Sequence, residues 1–128
     1  DGLGRGDAVT RLRVLCLLAL SLVAVPVWAA DPLSPDDAGG HIGEQAKVCG
    51  VVASAKFATE SRGQPTFLDL GRPYPDHVFT ALVWGSNRAA FSYPPESLEG
   101  QHVCVQGVIS EYRGKPQIIV SSPSQITK

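Results

Sequence analysis

The sequence lacks the features that would place it at once in one class of protein. It has no methionine, only 7% aromatic residues and a formal net charge of −1. This balance excludes a strongly basic nucleic-acid-binding tail and an acidic tail. Its 128 residues fit one domain or at most two, and 44% hydrophobic residues is normal for a globular protein.

Signatures of metal and catalytic sites are missing as well. The three cysteines have no Cys-x-x-Cys spacing, and the three histidines (His41, His77 and His102) are isolated from one another. The chain has no phosphate-binding loop motif and no Gly-x-Ser-x-Gly motif, and Asp69 has no obvious second carboxylate beside it. We therefore predict no catalytic residues, no metal ligands, no cofactor and no enzymatic activity.

No apolar run reaches the roughly 20 residues that a membrane-spanning helix needs. The longest run, residues 14–25, follows two arginines and has the length of the apolar region of a signal peptide. The small residues after it predict cleavage after Ala29, with Ala30 as the second choice; an uncleaved N-terminal anchor is the alternative. We thus expect residues 1–29 to be a signal peptide with an upstream extension, and the protein to be periplasmic or secreted without membrane attachment.

Cleavage would change the meaning of the odd cysteine count. It would remove Cys16 and leave Cys49 and Cys104, an even pair in an oxidising compartment. A disulfide between these two is then the natural expectation, and two buried free thiols are the alternative.

The remaining chain is predicted to be a linker followed by an all-β domain. Residues 30–43 are rich in proline, glycine and aspartate and predict a linker with a short helix, and residues 44–128 predict the domain. The predicted strands are 47–57, 66–70, 77–84, 101–112 and 116–121, with short helical turns within 85–100. Gly50 and Gly107 interrupt the two long strands, as in strands that bend to join both halves of a barrel.

This layout predicts a small five-stranded OB-type barrel, with short helical turns between strands 3 and 4 and a short N-terminal helical segment. In that topology the first and fourth strands lie side by side. Cys49 falls in the first and Cys104 in the fourth, so a disulfide would join the strands whose pairing closes the barrel.

Three stretches of the sequence resemble OB-fold nucleic-acid-binding domains. They are Val48-Cys49-Gly50-Val51-Val52, Thr66-Phe67-Leu68-Asp69-Leu70-Gly71, and Gly107-Val108-Ile109 followed by Tyr112-Arg113-Gly114-Lys115-Pro116-Gln117-Ile118. The most similar groups are anticodon-binding domains, OB modules of exported bacterial nucleases and small exported DNA-binding proteins. The resemblance covers residues 44–126. It implies nucleic acid lying across strands 2 and 3, between the loops that join strands 1 and 2 and strands 4 and 5.

Single-strand binding needs flat aromatic faces for the bases and cations for the backbone. The candidates for base stacking are Phe67, Trp84 and Tyr112, and those for phosphate contact are Arg62, Arg88, Arg113 and Lys115. Lys56 flanks the same loop as Arg62. If Leu68 and Leu70 fill the barrel, Phe67 and Asp69 face outward; core packing is the alternative for Phe67 and Trp84, and a solvated turn for Arg113 and Lys115.

The sequence therefore predicts an exported OB domain that binds nucleic acid, single-stranded and with little sequence preference. From Gly43 to Lys128 there are 8 basic and 7 acidic residues, a net charge of +1. This small charge favours one alternative, a structural or protein-interaction module on the same scaffold. A second alternative is a binder of oligosaccharides or small ligands, which the same barrel face also supports.

Overall fold

The computed structural model describes residues 31–128, and these form an all-β unit with short 3₁₀ helices. The strands are β1 (Gln45–Phe57), β2 (Thr66–Leu70), β3 (Thr80–Val83), β4 (His102–Tyr112), β5 (Lys115–Ile119) and β6 (Ile126–Thr127). The 3₁₀ helices are η1 (Pro35–His41), η2 (Gly85–Ala90), η3 (Pro95–Leu98) and η4 (Pro123–Gln125). The predicted signal peptide and Cys16 lie outside the described residues. No helix within 31–128 has the length and apolar character to cross a membrane.

Five of the strands close into a ring. β1 pairs with β2, β2 with β3, β3 with β5, β5 with β4, and β4 again with β1. The β3–β5 pair is parallel and the other pairs are antiparallel. This order confirms the predicted OB-like all-β fold. The short strand β6, which the sequence analysis did not predict, adds to the free side of β4.

The two long strands each change partner along their length. β1 pairs with β4 over residues 45–51 and then with β2 over 52–57, and β4 pairs with β1 over 102–108 and then with β5. Gly50 and Gly107 lie next to these changes of partner. A Cβ on Gly50 would be 2.7 Å from Cγ of Pro35, and one on Gly107 would be 2.6 Å from Cγ2 of Ile118. Both positions therefore need glycine for close packing. Each long strand pairs with two different strands and so takes part in both halves of the ring, as predicted.

The core fills the inside of the ring. Alternate residues of the strands are buried completely, among them Val48, Leu68, Leu70, Val105 and Ile118. Burying each such side chain stabilises the fold by about 2 kcal/mol. The two leucines of β2 fill the interior as predicted, and the residue between them faces the other way.

Two segments differ from their predicted structure. Residues 30–43 were predicted to be a linker with a short helix; the short helix is present as η1, but Leu33 pairs in parallel with Val48, and Pro35 and Ala38 of η1 are buried. The N-terminal segment thus packs on β1 as part of the folded unit. The third strand was predicted over 77–84, but β3 covers only Thr80–Val83. The residues before it belong to the β2–β3 loop (residues 71–79), in which the carbonyls of Pro75 and His77 accept from a side chain and the Phe79 carbonyl accepts from the Leu70 amide.

The disulfide joins Cys49 to Cys104, as predicted. The two residues are directly opposite in the β1–β4 register, with their Cα atoms 4.0 Å apart. They are separated by 55 positions in sequence, so the bridge restricts a large part of the unfolded chain. A disulfide also fits an exported location, because such bonds persist in oxidising compartments.

Replacing both cysteines by alanine is expected to lower the free energy of unfolding by about 2–4 kcal/mol, because the unfolded chain gains the entropy of an open loop. Denaturant unfolding followed by circular dichroism measures this. A reductant should destabilise the unmodified protein by a similar amount and leave the double variant unchanged. Equal stability of the unmodified protein with and without reductant would contradict the role assigned to the bridge.

Candidate nucleic-acid interface

A row of three apolar side chains and one lysine, called here the apolar row, crosses the outer face of the ring of strands. Lys56 of β1, Phe67 of β2, Leu82 of β3 and Ile119 of β5 are opposite one another in register, so their side chains share one face. Lys56 is exposed, Phe67 is partly exposed and Ile119 is 43% exposed, whereas Leu82 is buried. The structure thus places Phe67 on the outer face, where a ligand can reach its ring.

Trp84 lies at one end of this face, directly after β3, and is 38% exposed. A Cβ on Gly63 would be 2.9 Å from Cε3 and Cζ3 of the indole, so the ring packs against the Gly63 backbone. Gly63 has a φ of +76°, a conformation that favours glycine. The amide of Gly85 donates to the carbonyl of Gly63 at 2.9 Å. These contacts hold the indole in place while part of it stays accessible.

An open cavity of about 450 Å³ lies beside the indole. Its lining residues are Gly63, Gln64, Trp84, Gly85 and Ser86, none of which is charged. Arg62 is exposed and adjoins Gly63 in the chain. This end of the face therefore combines an aromatic surface, neutral polar groups and a nearby cation.

A second, polar row runs parallel to the apolar row. Asp69 of β2 lies between Ser54 of β1 and Thr80 of β3. Its Oδ2 accepts from the Ser54 hydroxyl at 2.9 Å, and its Oδ1 accepts from the Thr80 hydroxyl at 2.8 Å. Asp69 points away from the core, as predicted, but is only 5% exposed. The hydroxyl groups satisfy its carboxylate within the sheet.

The β2–β3 loop spans this part of the face. On one side the amide of Tyr74 donates to Oγ of Ser54 at 3.0 Å. On the other side Nζ of Lys115, on β5, donates to the carbonyls of Pro75 at 2.9 Å and His77 at 3.0 Å. Two of the three ammonium protons of Lys115 are thus used inside the protein. The predicted phosphate contact is therefore a side chain that already binds this loop.

The other candidates of the β4–β5 turn lie at the same end as Lys115. Tyr112 is opposite Lys115 in register and 56% exposed, and the guanidinium carbon of Arg113 is 5.2 Å from the centre of the Tyr112 ring. Trp84 and Arg62 lie at the opposite end of β2 and β3. Five of the seven predicted residues thus form two groups separated by about the length of β2, roughly 16 Å.

Arg88 does not reach the outer face. Its Nη1 donates to Oγ1 of Thr66 at 2.6 Å and its Nη2 to Oε1 of Glu96 at 3.0 Å, and its Cζ lies 3.5 Å from the centre of the Phe57 ring. Phe57 and Thr66 are opposite in register and point inward. The guanidinium therefore covers one end of the ring of strands. We assign Arg88 a structural role instead of the predicted phosphate contact.

Sequence reasoning missed Tyr74 of the β2–β3 loop. It is 72% exposed and stacks on His77, with ring centres 5.5 Å apart and planes inclined by 22°. The available signal was an aromatic residue between two prolines, in a segment predicted only as a turn. Within residues 31–128 no group of three or more histidine, cysteine, aspartate or glutamate side chains is arranged to hold a metal ion.

Comparison with known proteins gives matches to solved structures alone. No family model matches the chain, and no curated protein does. One similar structure is an OBody bound to hen egg-white lysozyme, with 14% identity over 80% of this chain and 96% of that chain, at a TM-score of 0.49. Another is a putative aspartyl-tRNA synthetase from Leishmania major Friedlin, with 13% identity over 78% of this chain and 21% of that chain, at 0.44. The fold assignment rests on the strand pairing described above.

The close contact between Gly63 and Gly85 leaves no room for a side chain at position 85. A Cβ on Gly85 would be 2.8 Å from the Gly63 carbonyl oxygen, so Gly85→Ala should displace the loop and lower the free energy of unfolding by about 1–3 kcal/mol. Gly39→Ala is the matched control, because a Cβ there meets nothing within 4 Å, and its effect should stay within about 0.5 kcal/mol. Denaturant unfolding of both variants tests this; equal effects would disprove the constraint at Gly85.

Proposed function

We propose that this domain binds single-stranded nucleic acid, with little sequence preference, on the outer face of β2 and β3. One observation carries the proposal: the indole of Trp84 is fixed against the Gly63 backbone and remains partly exposed, at the end of a face on which Phe67 also points outward. Aromatic faces of this kind stack on any base, and each such contact contributes about 1–3 kcal/mol.

Three cations support contact with the nucleic-acid backbone. Lys56 is opposite Phe67 in register, Arg62 adjoins Gly63, and Arg113 lies beside Tyr112 at the far end of the face. All three are exposed. If each meets one phosphate, the logarithm of the binding constant should fall with the logarithm of salt concentration with a slope of about −2, since each contact on a single strand contributes about −0.7.

We also infer that the protein acts outside the cytoplasm, in the periplasm or as a secreted protein. The disulfide and the predicted signal peptide support this location. The absence of enzymatic activity remains a prediction from the sequence.

The stacking side chains provide the direct test. Trp84→Ala and Phe67→Ala are each expected to weaken binding about 5-fold to 150-fold, which corresponds to about 1–3 kcal/mol. The measurement is the fluorescence anisotropy of a labelled oligothymidine of about 12 nucleotides, a length within the site sizes of OB folds. Titrations at several salt concentrations give the slope for each variant.

Lys47→Ala is the matched control for the cations. Lys47 is opposite Gln106 in the β1–β4 pairing, away from β2 and β3. Its removal should leave the slope unchanged, whereas Arg62→Ala should reduce its magnitude by about 0.7. If the unmodified protein shows no binding at the lowest salt concentration, the proposal is wrong.

A second candidate is the binding of a neutral oligosaccharide. The uncharged lining of the cavity beside Trp84 favours it, and the same face of OB folds also takes oligosaccharides. For this ligand Trp84→Ala should abolish binding, and affinity should be nearly independent of salt. Calorimetric titration with soluble oligosaccharides tests it; affinity for oligothymidine together with no heat from sugars would exclude this candidate.

A further inference from the structure

We propose that the β2–β3 loop forms a second base-stacking platform, made by Tyr74 on His77, and that Lys115 positions this platform instead of contacting phosphate. This inference rests on the proposed function. It assigns a binding role to a segment that the sequence indicated only as a turn, and a different role to a residue predicted to bind the backbone.

The exposed ring of Tyr74 is held in place from two directions. Its main-chain amide donates to Oγ of Ser54, and its ring stacks on His77. The ring is nevertheless 72% exposed, so a base can approach the side that His77 does not cover. An aromatic ring that is ordered before binding loses little entropy when a ligand stacks on it.

The His77 imidazole contacts Tyr74 through its ring face, and its Nδ1 takes no part in holding it. That atom is buried and has no hydrogen-bond partner among residues 31–128. The backbone carbonyl of His77 accepts from Lys115. The imidazole therefore acts as a flat support for Tyr74, and an aromatic residue without polar atoms should support it equally well.

Lys115 fixes the loop to the far side of the sheet. Its Nζ binds the carbonyls of Pro75 and His77, which are 40 and 38 positions away in sequence. Ser54, which binds the loop at Tyr74, belongs to β1, whereas Lys115 belongs to β5. The loop is thus attached on both sides of the outer face. Loss of Lys115 would release one of these attachments.

Along the strands, the apolar row lies between the Trp84 end and the β2–β3 loop. The row runs from Lys56 to Ile119, crosses four strands and is about 14 Å long. The β2–β3 loop is bound at the neighbouring row, which contains Ser54 and Thr80. Trp84 and Thr80 are four residues apart, about 13 Å along the strand. A single strand lying across β1, β2, β3 and β5 would then present bases to an aromatic ring on either side.

The first part of the test concerns the Tyr74 ring. Tyr74→Ala should weaken binding of the oligothymidine about 5-fold or more, the loss expected for one stacked base. Tyr74→Phe keeps the ring and should bind like the unmodified protein, as should His77→Phe. The midpoint of unfolding of Tyr74→Ala serves as the check on folding, because so exposed a ring contributes little to stability.

The second part of the test concerns Lys115. Lys115→Met removes the donors that hold the loop, so binding should weaken while the salt slope stays at its original value. A phosphate contact would behave differently, because its loss reduces the magnitude of the slope by about 0.7. In the Tyr74→Ala background, Lys115→Met should cause no further loss of affinity, since both changes remove the same platform.

The outcomes separate this inference from the proposed function. Absence of oligothymidine binding by the unmodified protein overturns both. Binding that Trp84→Ala weakens and Tyr74→Ala leaves unchanged overturns the second platform alone. A reduced slope for Lys115→Met, with an independent loss in the Tyr74→Ala background, makes Lys115 a phosphate contact and overturns its positioning role.

Discussion

The pairing of β1 with β4 is the constraint on which the rest of the structure depends, because it closes the ring. The disulfide joins the two strands at directly opposed positions within this pairing. β1 continues into its pairing with β2, with a register irregularity between Val52 and Ser54, and β2 in turn pairs with β3. A shift of one residue would turn Phe67 into the core and Leu68 to solvent, so the outer face exists only in this register.

The two rows of side chains on the outer face differ in how far they are covered. The polar row around Asp69 lies under the β2–β3 loop and satisfies its carboxylate through two hydroxyl groups. The apolar row through Phe67 has no such cover at Lys56 and Ile119, which remain exposed. The carboxylate of Asp69 is thus held by donors within the sheet, and the exposed part of the face is the apolar row and its lysine.

The sequence predicted the features that depend on local pattern. The pattern of β2 predicted its bounds correctly, and its alternation placed Phe67 on the outer face. The positions of the cysteines in the two long strands predicted the disulfide. It did not predict the roles of Arg88 and Lys115, because their partners are 8 to 40 positions away and a cation in a turn gives the same local signal whether it is solvated or bound. Tyr74 was missed because its loop has no periodicity.

Internal contacts leave fewer cations for a polyanion than the sequence indicates. Of the four cations chosen from the sequence, Arg88 covers an end of the ring and Lys115 binds the loop, so internal contacts take up half of that set. In the proposed interface the electrostatic part of the affinity is therefore small. Stacking on the aromatic rings must supply most of the total affinity. Stacking does not distinguish one base from another, so low sequence preference and weak salt dependence would follow from the same cause. The small net charge thus argues against a strongly electrostatic binder, and a binder that depends on stacking is compatible with it.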